Sequence, residues 1–112
     1  MPRFLISFDD GWMDFPESDL PAVGKAAHDV MFEAQAAGVW VTGGGLHTQQ
    51  ATVVDPSGSI VLAPPPDQKI AIGGFSIIDV PTRDEAERWA ARIAKACRCP
   101  QEVREIMRDD SV

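Results

Sequence analysis

Residues 70–80 read IAIGGFSIIDV, an extended run with Ile70, Ile72, Ile78 and Val80 on one side and Ala71, Phe75 and Ile77 on the other. Neither side of such a strand suits water, so it needs a layer against each face. The chain has 112 residues, room for one domain and one core. The strand therefore asks where two covering layers could come from.

The rest of the chain supplies one of them. Residues 3–9 alternate, with Phe4, Ile6 and Phe8 opposed to Leu5, Ser7 and Asp9, and predict a first strand. An acidic, Gly- and Pro-interrupted loop follows. Asp19 stands where an N-cap would, ahead of a helix over residues 20–37 whose apolar stripe is Val23, Ala27, Val30, Ala34 and Ala37 and whose end is Gly38. Residues 39–46 predict a second strand, and Gly43 to Gly45 in it invite a bulge or a close backbone approach. Residues 51–54 and 59–62 flank Asp55-Pro56-Ser57-Gly58, a type I turn signature, and form a hairpin. Pro64 to Pro66 then force an extended segment.

After Pro81, Thr82 and Glu85 make a capping box. Ala86, Trp89, Ala90, Ile93, Ala94 and Cys97 mark the buried face of a second helix, with Asp84 and Arg88 spaced to pair outside. Pro100 stops that helix, and residues 102–107 predict a last, partly exposed strand. The order is β-α-β, hairpin, β-α-β. The fold class is therefore α+β, the ferredoxin-like split β-α-β: one antiparallel sheet with two helices on one face, in a single domain over residues 1–112.

Two helices cover one face only. By strand alternation the other carries Leu5, Trp40, Phe75 and Ile77, more apolar area than soluble monomers expose, and a second copy packed face to face would cover it. Ser7, Asp9 and Thr42 project from the same side, so the covered space has the mixed polarity of a small-molecule cleft. The partners expected are a second copy and a small organic ligand.

Charge and cysteine use exclude other classes. A net charge of −7 repels phosphate backbones and anionic lipid, so nucleic acid is not an expected partner. No signal-peptide core or membrane-spanning run is present in the sequence. Cys97 and Cys99, two apart, make a poor structural staple and fit a reducing cytoplasm. Two histidines and this Cys-x-Cys pair do not make a zinc set, so no metal or other cofactor is expected.

Three stretches carry a family likeness: AAGVWVTGGGL at 36–46, GGFSIIDV at 73–80 and DEAERWAARI at 84–93. In this order they resemble the YCII-related proteins of the DGPF type, over residues 4–107. The resemblance implies a dimeric α/β barrel made of two facing ferredoxin-like sheets, and acid/base chemistry of the lyase kind known for some members. The positions of the name-giving Asp-Gly-Pro-Phe hold Leu62-Ala63-Pro64-Pro65. His28 is one residue out of register with the family's helical histidine, and the acidic partner proposed for that histidine falls at Ala36.

The candidate site follows. His28, at the margin of the first helix's apolar stripe, and His47, after the glycine run, are the candidate proton-transfer groups. Asp9 is the carboxylate expected to orient or share the proton. Ser7, Trp12, Trp40, Thr42 and Phe75 are expected to line the ligand, Trp40 with Phe75 holding its flat part. The competing class is a non-catalytic dimer that senses a metabolite or serves as an interaction module. A pocket holding an imidazole and a carboxylate within hydrogen-bond reach would favour the enzyme.

Overall fold

A computed structural model describes residues 1–47, 52–61 and 72–111. Strand β1 spans Arg3–Asp9, helix α1 Leu20–Ala36, β2 Trp40–Gly45, β3 Val53–Val54, β4 Ile60–Val61, β5 Ile72–Asp79, helix α2 Arg83–Cys97 and β6 Glu102–Glu105. The expectations for Ala51, Leu62, the Pro64–Pro66 segment, Ile70 and Ala71 lie outside the described residues.

The main sheet has the order β2-β5-β1-β6 with antiparallel neighbours, and β3-β4 forms a separate two-stranded ribbon. With the ribbon set aside as an insertion, this is the α+β, ferredoxin-like arrangement the periodicity calls for. The strand that is apolar on both sides, β5, lies between β2 and β1.

The register fixes which side chains share a face, because directly paired residues project to the same side. Phe4 pairs with Ile78 and Ile6 with Ser76, and Phe4, Ile6, Ile78 and Val80 form the buried core with Ala86 and Ala90 of α2. Leu5 pairs with Ile77 and Ser7 with Phe75 on the opposite, helix-free face. The molecule measures 44 × 43 × 19 Å. Sheet and helix layers stack about 10 Å apart, so among the described residues the short axis holds one of each.

Both helices end as their sequences dictate, but they begin differently. Thr82 has extended backbone angles and its side chain accepts a hydrogen bond from the Glu85 N–H at 3.2 Å. Gly38, at φ +74°, ends α1. The α1 N-cap corrects the expectation: Asp19 is itself helical, at the end of a 3-10 turn over Glu17–Asp19, and caps nothing. Its carboxylate instead accepts a hydrogen bond from Arg98 at 2.8 Å, tying the start of α1 to the end of α2. On the outer side of α2 the observed pair is Arg83–Glu87 at 3.8 Å, not Asp84–Arg88. Among the described residues no helix is long and apolar enough to cross a membrane.

Candidate functional site

Two aromatic rings lie close against glycines on the helix-facing side of the sheet. A Cβ on Gly74 would sit 2.6 Å and 2.7 Å from two ring carbons of Phe8, and one on Gly73 would sit 2.9 Å from a third. A Cβ on Gly43 would sit 2.8 Å from the Trp40 indole, 2.6 Å from the Phe75 carbonyl oxygen and 2.9 Å from the Ser76 Cα. The glycines therefore let the rings approach the backbone. Gly45 pairs with Gly74, so a side chain there would point to the same face, yet nothing lies within 4 Å of its Cβ position.

That empty space belongs to a pocket of about 270 Å³ between sheet and helices. Its sheet side is Phe8, Trp40, Gly43 to Gly45, Phe75 and Ser76; α1 contributes Ala27, His28, Val30 and Met31; Ile93 and Cys97 come from α2, and Met13 and Gln101 from loops. The walls are apolar apart from a few polar groups, among them His28, Ser76 and Gln101, the usual composition of a small-molecule site.

His28 is exposed at the rim, and its Nδ1 lies 2.8 Å from the Gly24 carbonyl oxygen. A carbonyl only accepts, so Nδ1–H is the donor and the neutral ring keeps its lone pair on Nε2. No Asp or Glu is among the residues lining the pocket, and among the described residues no hydrogen bond joins an imidazole to a carboxylate. Burial pushes the Cys97 thiol upward, as it does the thiol of neighbouring Cys99, so the sulfur facing the pocket is the neutral thiol at physiological pH.

Of the remaining candidates, Phe75 is half-buried and also among the residues lining the pocket, although its register position is on the helix-free face. Ser7, buried, and Thr42 lie on that helix-free face and do not line the pocket. Asp9 sits at the end of that face beside a register shift, and its Oδ1 is buried without a hydrogen-bond partner. Trp12 is half-buried in the loop that follows, its backbone N–H donating to the Asp9 carbonyl at 3.1 Å. His47 is exposed beyond β2. At the other end of the face, Arg3 makes a two-pronged contact with Asp79, at 2.7 Å and 3.0 Å, which holds the Asp79 carboxyl below the usual carboxylate range.

Trp40 corrects the expected grouping. It pairs with Ile78 on the helix side while Thr42 pairs with Ile77 on the open side, because a bulge between them absorbs one residue and reverses the alternation. Trp40 and Phe75 thus take register positions on opposite faces, although both are among the residues that line the pocket. The sequence missed Phe8 and Cys97 as pocket residues, since each reads as ordinary core. Their signal was the glycines at 43, 73 and 74, whose missing Cβ atoms only matter where something lies close.

Compared with protein-family models and with curated proteins, the sequence matches none.

Proposed function

We propose that this chain is a small-molecule-binding protein of the YCII-related kind, working as a homodimer, with the ligand seated between the glycine run of β2 and the two helices. The observation that carries the reading is the pocket with Phe8 and Trp40 laid on glycine and open space above Gly45. A dry cavity of roughly 150 Å³ accommodates benzene, so about 270 Å³ suits a single substituted ring. The Nε2 lone pair of His28 at the rim offers such a ring one hydrogen-bond acceptor.

Binding without turnover is the form we favour. The pocket imidazole has no carboxylate to orient it, and the neutral Cys97 thiol is a poor nucleophile, so acid/base chemistry of the lyase kind lacks its second group there. Metabolite sensing is then the natural use, by mass-action stabilisation of the liganded state.

The test is a thermal-shift screen of monocyclic aromatic compounds against the wild type and Gly45→Val. A saturating ligand at about 100 times its Kd stabilises by about 2.7 kcal/mol. The reading expects compounds that raise the wild-type Tm and leave Gly45→Val unmoved. A screen with no active compound, or equal shifts in both proteins, would overturn it.

A further inference from the structure

We propose that the β3-β4 hairpin is an arm that packs on the open sheet face of a second copy of this chain. The inference rests on the homodimer reading above and adds which segment covers the face.

Val54 and Ile60 are cross-strand partners and so share one side of the hairpin, where they are 60% and 64% exposed. Among the described residues β3 and β4 pack substantially only on each other. A two-stranded ribbon this short is not stable alone in water, so an ordered hairpin here needs a surface to lie on. Its turn is already formed: the Asp55 carboxylate accepts hydrogen bonds from the Ser57 N–H, the Ser57 hydroxyl and the Ser59 N–H, and Gly58 takes φ +87°. The hairpin is thus a shaped arm with a bare apolar side.

The chain also has an apolar receptor for it, the helix-free face on which Leu5, Phe75 and Ile77 are half-buried. Area identifies the occupant as a second copy. A folded monomer of this mass exposes about 6000 Å², whereas this chain exposes 7855 Å². The surplus of about 1900 Å² per chain falls within the roughly 1000–2500 Å² that each subunit of an obligate homodimer hides. The Cα radius of gyration, 15.7 Å, likewise exceeds the roughly 13 Å expected for the length. A two-fold pair brings each arm to the other's face and leaves neither surface bare, whereas an unrelated partner on the face would leave the arm exposed.

The experiment uses sedimentation equilibrium on the full chain and on Val54→Lys/Ile60→Glu, which replaces the apolar pair by an ion pair that keeps the hairpin together. We expect a wild-type dimer at micromolar concentration and a dimer dissociation constant at least 100-fold weaker in the variant. As a second measurement, Val54→Cys carrying a spin label is mixed with unmodified isotope-labelled chain, the native cysteines being buried. Broadening of Leu5 and Ile77 signals in the unmodified chain is the expected result. A wild-type dimer with an equally dimeric variant and no such broadening would overturn the arm and leave the homodimer standing. A monomeric wild type would overturn both.

Discussion

Three consecutive glycines in β2 are expected to respond in opposite ways to the same substitution. In Gly43→Ala the new methyl would meet the Phe75 carbonyl oxygen at 2.6 Å and the Ser76 Cα at 2.9 Å, besides the Trp40 ring at 2.8 Å. Two of these are backbone atoms of the central strand, which cannot swing aside as a side chain can. Overpacking of this kind costs about 1–3 kcal/mol, and the upper end applies where the neighbour is backbone. Gly44→Ala and Gly45→Ala meet nothing within 4 Å. They restrict the unfolded chain and gain about 0.5 kcal/mol. At about 4 °C per kcal/mol for a domain of this size, Gly43→Ala should lose about 12 °C in Tm and the other two gain about 2 °C each. Urea unfolding followed by far-UV circular dichroism reads all three. A Gly43→Ala protein within about 0.5 kcal/mol of wild type, or a Gly45→Ala protein as damaged as Gly43→Ala, would refute the picture of a ring pressed on glycine beside an open pocket.

Further outcomes follow from the same geometry. Gly74→Ala, with its methyl clashing with the Phe8 ring, should destabilise by about 2 kcal/mol and be partly rescued by Phe8→Leu, a non-additivity that a double-mutant cycle measures. Thr82→Ala removes the cap on α2 and should cost about 1 kcal/mol, read as a lower urea midpoint. Because Arg3 depresses the Asp79 carboxyl below its unfolded value, that pair's contribution is complete above about pH 3.9 and is lost as the pH falls through the depressed value; Arg3→Met should flatten this acid limb in pH-dependent unfolding. Cys97 has the opposite sign. Its folded value is raised by burial, so its contribution is complete below about pH 8.5 and lost as the pH rises through the raised value, and Cys97→Ala should flatten the alkaline limb.

The fold was legible where the pattern was local. The period of the second helix, the Thr82 and Glu85 spacing and the Asp55-Pro56-Ser57-Gly58 turn each specify their structure within a few residues, and each is present. Alternation served equally well in β1, where no bulge lies between Arg3 and Phe8. It failed in β2 because the bulge between Trp40 and Thr42 depends on pairing with β5, more than thirty residues away, and one absorbed residue reverses a face. That reversal put Trp40 and Phe75 at register positions on opposite faces. Asp19 was misread for a similar reason: its spacing suits a cap, but its carboxylate is taken by Arg98 from the far end of the chain. The pocket itself was only hinted at, through glycines whose use depends on what lies above them.

The proposed ligand and the proposed second copy use opposite faces of one sheet, the ligand under the helices and the copy on the open face. Isoleucine methyl signals separate them directly, since Ile93 lines the pocket and Ile77 projects from the open face. Titration of the protein with a monocyclic aromatic that raises its Tm should move the Ile93 methyl and the Trp40 indole N–H while leaving the Ile77 methyl in place. Shifts at Ile77 with Ile93 unmoved would put the ligand on the wrong side of the sheet and contradict the division.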